Sequence, residues 1–335
     1  MTNEKINSNT EKEAAEPLAY APILRNGPSE RSVIREFGGL NRFIGPNRGE
    51  LYTVIEVTER DDLNNLTVFQ NAADLVLIDL PSYLTQDENS LSEDVQGVID
   101  ESGSVADFFA ENKDRISVPV LSGTLSSPIT YRQYLQLYHE VSPHFGSIAL
   151  RLFLRPIEFS EEQKANLKKI QAEISEDDLV LFDLIEVGRL KKGEQGYENF
   201  SYLCELFGEN ERIIMNAFSS YDGENRNFGP SIAKETGAEG FGDFAINVRY
   251  PNPVPLGNID TRIIRQYSPT ESQVFEFKGD GYGGAFKELE DWDLWNPDHC
   301  EFCRRADNEN TEWLSFWKRI RMGHYISSAL EEEAV

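Results

Sequence analysis

Apolar, strand-like segments alternate with amphipathic helical segments eight times between residues 20 and 248. Each strand of such a series returns to the same end of the sheet through a crossover, which is usually a helix, so neighbouring strands pair in parallel. Eight units of this kind predict an α/β fold, a (β/α)8 TIM-like barrel. The predicted strands are Tyr20–Leu24, Leu51–Val57, Leu75–Leu80, Ser117–Leu121, Ser147–Leu154, Leu179–Leu184, Arg212–Ala217 and Asp243–Val248.

The remaining sequence divides into a tail and an extension. Residues 1–17 are polar and acidic and lack apolar periodicity, which predicts a disordered tail. Residues 18–250 match the length of one barrel, which is typically about 250 residues. Residues 251–330 are predicted to form a C-terminal α+β extension that packs on the barrel.

Two strands and a terminal helix are predicted in this extension. Alternating apolar residues indicate strands at Thr261–Tyr267 and Gln273–Lys278, joined by a turn. The glycine-rich segment 279–284 lacks the Lys-Ser/Thr ending of a phosphate loop, so it is interpreted as flexible. Apolar residues at spacings of three and four predict the terminal helix at Thr311–Ala329.

The charge of the chain limits its partners. Asp and Glu number 58 against 32 Lys and Arg, which gives a net charge of −26. Such a surface repels phosphate backbones, so nucleic acid is expected to bind only at a local basic patch, if at all. A protein partner is the alternative expectation. The C-terminal basic patch consists of Arg304, Arg305, Lys318, Arg319 and Arg321.

The sequence also bears on compartment. No segment reaches the ~18 consecutive apolar residues of a membrane span, and the first residues lack the apolar segment of a signal peptide. We therefore expect a cytoplasmic protein without a membrane partner. Of the three cysteines, two lie in one CxxC, so Cys204 is predicted to be reduced and buried on a helix.

Charged residues interrupt several of the apolar strands near their carboxyl ends. Glu56, Asp79 and Asp183 lie at the ends of three strands, Arg151 lies within the fifth, and Arg25 follows the first. A buried charge has to be paired, hydrated or used in chemistry. Because barrels of this class carry their active sites at the carboxyl ends of the strands, these five residues form the candidate catalytic site.

Two interpretations of this charged group remain open. The carboxylates can bind a divalent metal ion, or one of them can act as a general base. In either case an arginine would stabilise developing negative charge. Alternatively, the same residues form an internal ion-pair network that fixes the barrel without catalysing anything.

A second group of residues has the chemistry of a zinc site. Cys300 and Cys303 have the CxxC spacing that lets two thiolates bind one metal ion, and His324 is a suitable third ligand. A complete tetrahedral site needs a fourth ligand, so the motif is half of a full zinc motif. The alternative is a pair of reduced cysteines in a turn before the last helix.

Several short motifs resemble the beta protein family, which occurs in T-even-type phages and in bacterial and archaeal genomes near mobile elements. They are the opening segment Tyr20–Arg25, the segment Ile55–Val57, and the ending Trp313–Trp317 with Gly323–Ile326. The chain has Arg25 where the family usually has Lys, and only His324 where the family's ending often reads His-His-Ile. The resemblance implies the fold and a phage or mobile-element setting, and it implies no reaction.

Two functions are expected from these observations. The first is a phage- or defence-associated barrel that binds a ligand at the strand ends, with metal-dependent phosphoester hydrolysis as the candidate reaction. The second is a non-enzymatic inhibitor, scaffold or nucleic-acid mimic that engages a basic partner through its acidic surface.

Overall fold

The computed structural model of the chain describes residues 17–37, 48–81, 90–124, 128–154, 159–184, 190, 192–217, 226–245, 261–309 and 313–331. Within these residues one parallel sheet forms the centre of the molecule, and a separate hairpin lies in the C-terminal part. The strands of the parallel sheet are β1 (Ala19–Tyr20), β2 (Ile23–Arg25), β3 (Tyr52–Glu56), β4 (Leu75–Asp79), β5 (Val118–Thr124), β6 (Ala149–Phe153), β7 (Leu179–Asp183), β8 (Glu211–Met215) and β9 (Gly240–Gly242).

Helices connect these strands in the order that parallel pairing requires. Ser160 shows how the sequence starts one of them, because its hydroxyl accepts a hydrogen bond from the Gln163 amide while the Gln163 side chain accepts one from the Ser160 amide. The helices of the barrel are α1 (Pro28–Phe37), α2 (Leu66–Gln70), α3 (Ser90–Ser102), α4 (Val105–Glu111), α5 (Pro128–Val141), α6 (Glu161–Glu173), α7 (Gln195–Leu206) and α8 (Gly229–Thr236). Cys204 is a free, buried cysteine on α7, as predicted.

The first predicted strand is divided between the two edges of the sheet order. The order runs β1-β9-β8-β7-β6-β5-β4-β3-β2, so β1 and β2 are its ends, although Ala21 and Pro22 alone separate them in the chain. The backbone groups of these two residues form hydrogen bonds to opposite sides of the sheet order. The Ala21 amide donates to Phe241 O at 2.8 Å, and Pro22 O accepts from the Val54 amide at 2.9 Å. The sheet therefore closes on itself, and the predicted (β/α)8 barrel is confirmed.

The last strand of the barrel lies earlier than predicted. The predicted segment was Asp243–Val248, whereas β9 occupies Gly240–Gly242 and pairs with β1 through Ala19 and Gly240. The strand ends there because the Asp243 carboxylate accepts a hydrogen bond from the Ala245 amide at 2.7 Å, which turns the chain. Ala245 adopts a φ of 47°, and residues 246–248 lie outside the described residues.

Alternation along the strands separates two apolar layers. Side chains such as Ile55, Ile78 and Phe182 point outward and pack with the helices in the larger core. The positions between them point into the barrel and form a second, smaller core, lined by Ala19, Ala21, Ile23, Tyr52, Val54, Leu77, Val118, Val120, Ala149, Leu179, Leu181, Ile213, Met215, Ala217 and Phe244. The inside of the barrel is thus filled by side chains rather than open.

The described C-terminal residues, 261–309 and 313–331, form a hairpin and three helices. Strands β10 (Thr261–Ser268) and β11 (Gln273–Asp280) pair antiparallel where two strands were predicted. Segment 279–284 was interpreted as flexible, but it ends β11 and starts α9 (Gly281–Glu290), with Gly281 at a φ of 69°. Helices α10 (Glu301–Glu309) and α11 (Leu314–Leu330) follow.

No helix among the described residues is both long enough and apolar enough to cross a membrane.

Closure of the barrel requires a glycine at position 242, where a side chain would not fit. A Cβ atom at Gly242 would overlap the Ala21 carbonyl oxygen and lie 2.7 Å from the Met215 sulfur. We predict that Gly242→Ala lowers the free energy of unfolding by about 1–3 kcal/mol, because backbone on the other side of the seam has to move. Urea denaturation measures this change.

Gly97 provides the matched control. A Cβ there would meet nothing within 4 Å, and the residue lies inside α3. Gly97→Ala should raise the free energy of unfolding by about 0.5–1 kcal/mol, since alanine is the better helix former. Equal effects of the two substitutions would show that the seam is not tightly packed.

Candidate functional site

A charged layer lies above the apolar interior of the barrel. The inward positions of β3 are Tyr52, Val54 and Glu56, and those of β4 end at Asp79, which pairs in register with Glu56. Because both strands end there, the two carboxylates lie at the carboxyl end of the barrel. The strand register also places the backbone of Arg25 beside that of Glu56.

Arg151 of β6 lies at the centre of this layer. Its Nη1 atom is 2.7 Å from Asp79 Oδ2 and 3.2 Å from Glu56 Oε1. On the other side, Asp183 Oδ2 accepts from Nε at 2.9 Å and lies 2.8 Å from Nη2. The structure thus brings together four of the five candidates, and strands β3, β4, β6 and β7 each supply one.

These four side chains are removed from solvent. Arg151 and Asp79 have no exposed surface, Glu56 is 1% exposed and Asp183 is 3% exposed. The guanidinium plane also lies 5.2 Å from the centre of the Phe153 ring. In such surroundings ion pairs and hydrogen bonds are stronger than in water, and an unmatched charge is correspondingly expensive.

The layer contains more negative than positive groups. Three carboxylates face one guanidinium, so full ionisation of these four residues would leave two excess negative charges. Burial raises the pKa of Asp79 to about 6, and repulsion by Glu56 adds to this rise, while attraction by Arg151 opposes it. Asp79 therefore exchanges a proton close to neutral pH.

Ser122 is a member of the layer that the sequence analysis missed. Its hydroxyl donates to Asp79 at 2.8 Å and lies two residues beyond Val120 on β5. The predicted strand ended at Leu121, but continuing the alternation of inward positions by one more step would have identified Ser122.

Asp243 is a further buried carboxylate, and the sequence analysis did not single it out. It accepts hydrogen bonds from Tyr20 at 2.8 Å, from Asn227 at 2.6 Å and from the Tyr325 hydroxyl. Burial raises its pKa, and these donors oppose the rise. With so many donors, Asp243 has the environment of a structural carboxylate, and it joins the barrel seam to α11.

The second predicted group also comes together. Cys300 Sγ and Cys303 Sγ are 3.6 Å apart, and His324 Nδ1 lies 3.6 Å and 3.2 Å from them. The contact between the thiols lowers the pKa of Cys300 to about 4 and raises that of Cys303. The cysteines were assigned to a turn as the alternative, but Cys303 lies in the first turn of α10.

No family model and no curated protein matches the sequence. The solved structures that are similar to part of this chain include N-acetylneuraminate lyase from Mycoplasma synoviae, phospho-2-dehydro-3-deoxyheptonate aldolase from Thermotoga maritima, and a hyperthermophilic endo-β-1,4-glucanase. Their identities to this chain are 14%, 11% and 13%, with TM-scores of 0.29, 0.35 and 0.34. The matches cover 56%, 69% and 62% of this chain and 62%, 60% and 82% of the respective structures, so the chain spans less than two thirds of the first two.

Titration of Asp79 predicts how stability depends on pH. Since its pKa rises from 3.8 to about 6 on folding, the folded protein binds this proton more tightly than the unfolded chain does. The stabilisation is complete below pH 4 and is lost as pH rises through 6, by about 3 kcal/mol in total. Urea denaturation of Asp79→Asn between pH 4 and 7 should lack this decline.

The exposed Asp114 is the control for that measurement. Asp114→Asn should keep the decline of the parent protein, because its carboxylate is solvated in both states. If the loss of stability between pH 4 and 7 is unchanged in Asp79→Asn, another titrating group causes it.

Proposed function

We propose that the protein is a ligand-binding (β/α)8 barrel that works through its charged layer, with Asp79 as the group that accepts or donates a proton. One observation carries the proposal: a buried guanidinium holds three carboxylates at the carboxyl ends of the strands, and burial raises the pKa of Asp79 to about 6. A general acid or base is most effective when its pKa lies near the working pH.

The four side chains would divide the work. Asp79 is the proton-transfer group, and Glu56 raises its pKa through repulsion. Arg151 fixes both carboxylates through its Nη1 atom. Asp183 is a positioning residue, because it binds the opposite side of that guanidinium and thereby sets its orientation.

A divalent metal ion held jointly by Glu56, Asp79 and Asp183 does not fit this arrangement. Carboxylate oxygens are suitable ligands, but the guanidinium already lies 2.7–3.2 Å from all three groups. A doubly charged ion among them would face the arginine at close range. We therefore derive no metal-dependent step and no phosphoester hydrolysis from the layer.

The balance of charge bears on the class of ligand. Among these four side chains the carboxylates outnumber the guanidinium, so we propose an uncharged or cationic ligand rather than a phosphate group. The phage- or defence-associated setting that the family resemblance implies stays part of the proposal.

A non-enzymatic interaction protein is the second candidate. It is favoured by the complete burial of the Arg151 ion pairs, as expected of an internal network, and by the net charge of −26, which suits a basic protein partner. The C-terminal basic patch is less suited to nucleic acid, because Arg305 binds Glu36 at 2.5 Å and Lys318 binds Glu30 at 2.6 Å.

The substitution Asp183→Asn distinguishes the two candidates. In a working site it relieves repulsion among the carboxylates, so the free energy of unfolding should hold within about 1 kcal/mol or rise. In an ion-pair network the substitution leaves the buried Arg151 with less compensating negative charge, so it should lower the free energy of unfolding by about 3 kcal/mol or more. Urea denaturation at pH 7 gives the value.

Asp178 is the matched control, because it precedes the other end of the same strand. Its carboxylate accepts from the Ile148 amide, the Ser175 amide and the Tyr138 hydroxyl at 2.7–2.9 Å. Asp178→Asn should lower the free energy of unfolding by about 1–3 kcal/mol, as loss of a buried acceptor does. An equal or larger loss in Asp183→Asn would favour the network.

Ligand class is tested by a thermal-shift screen of uncharged, cationic and phosphorylated small molecules. We expect an uncharged or cationic compound to raise the Tm of the parent protein and of Asp114→Asn, and to lose this effect in Asp79→Asn. A response confined to phosphorylated compounds, or one that requires Mn²⁺, would contradict the charge argument.

A further inference from the structure

We propose that Cys300, Cys303 and His324 bind one zinc ion, which fastens α10 to α11. The three ligand atoms lie within 4.8 Å of one another, and Cys303 and His324 are buried. Cys300 immediately precedes α10, Cys303 lies in α10 and His324 lies in α11, so a shared metal ion would crosslink the two helices. This site is separate from the charged layer of the barrel.

The distances among the ligand atoms match tetrahedral zinc. Zn–S bonds of about 2.3 Å and Zn–N bonds of about 2.0 Å at tetrahedral angles place two sulfurs about 3.8 Å apart and a sulfur and a nitrogen about 3.5 Å apart. The observed separations are 3.6 Å between the sulfurs and 3.2 and 3.6 Å from them to His324 Nδ1. Only small shifts would be needed to admit the ion.

The imidazole of His324 is oriented for metal binding. Its Nε2 atom lies 2.8 Å from the carbonyl oxygen of Tyr267, which can only accept a hydrogen bond. Nε2 therefore carries the proton, and the lone pair of Nδ1 points toward the two thiols. Metal-bound histidines usually have such a second contact, which fixes the ring and its tautomer.

The charges of this set also suit burial. Two thiolates balance the double charge of Zn²⁺, and the imidazole ligand is neutral, so the complex has no net charge. Burying it leaves no unmatched charge, unlike burying a thiolate alone.

A glycine lets the two helices approach at this point. Gly323, inside α11, immediately precedes His324, and a Cβ there would overlap the ring of Phe302, which lies between the two cysteines. Glycine forms helices less well than alanine does, so a glycine inside a helix needs another reason to be there. The close contact of α10 with α11 therefore requires this glycine and brings the cysteines to the histidine.

His299 is adjacent but is not assigned as a ligand. Its ring centre lies 4.8 Å from that of His324, yet its Nε2 atom is 3.1 Å from the Ser328 hydroxyl. The fourth position of the tetrahedron is assigned to water, which can reach the site because Cys300 is partly exposed. The competing state of the CxxC pair is a disulfide.

Metal analysis of the purified full-length protein under reducing conditions tests the proposal. We expect about one zinc ion per chain, and a zinc chelator should lower the Tm, since folding and metal binding are coupled. Replacing the zinc with Co²⁺ should give a thiolate charge-transfer band that reports the cysteine ligands directly. These measurements use the parent protein and do not depend on whether a variant folds.

Variants then assign the ligands. Cys303→Ser should remove most of the zinc, whereas Cys204→Ser, the same change at the buried cysteine of α7, should keep it. His299→Ala should also keep it. Zinc-free protein that takes up no Zn²⁺ or Co²⁺ and has an unchanged Tm would overturn the proposal. A Cys300–Cys303 disulfide in protein purified under reducing conditions, or zinc loss in His299→Ala alone, would overturn it as well.

Discussion

The buried guanidinium of Arg151 is the group around which the upper barrel is organised. A permanently charged side chain without solvent contact needs acceptors on more than one side, and it finds them on β3, β4 and β7. Because the acceptors come from strands on both sides of β6, the position of the arginine depends on the curvature of the sheet. The charged arginine can be buried only if this curvature brings the three carboxylates close to it.

The charged side chains of the layer affect both stability and chemistry, whereas the side chains of an apolar core affect stability alone. A buried ion pair is weak support for stability, since an apolar replacement is often as stable. The three carboxylates accept from different sides of the guanidinium, so one acid alone could not satisfy Arg151. The raised pKa of Asp79 results mainly from burial, with a smaller contribution from repulsion by Glu56.

The sequence predicted those parts of the structure that depend on periodicity. The strand–helix alternation located β3 to β8, and charged residues within apolar runs located Glu56, Asp79, Arg151 and Asp183, because both patterns follow from which side of a strand is buried. The spacing of Cys300 and Cys303 also indicated a common site with His324. Periodicity carries no information on local contacts that end a strand or start a helix. The end of β9 is set by an aspartate side chain that turns the chain, and segment 279–284 starts a helix through one residue at positive φ.

The seam of the barrel has a consequence for how the chain reaches its native state. Tyr20 and Asp243, which bond across the seam, are separated by 223 residues, and Tyr325 joins them from further along the chain. Loop-closure entropy for a separation of this size amounts to about 5 kcal/mol on a logarithmic scale. During synthesis β2 can pair with β3 early, while the other side of the first strand waits for β9 with its hydrogen-bonding groups exposed. Folding of this protein therefore includes a long-range contact that can form only after residues 240–242 have been synthesised, and the edge of β1 that pairs with β9 stays unpaired until then.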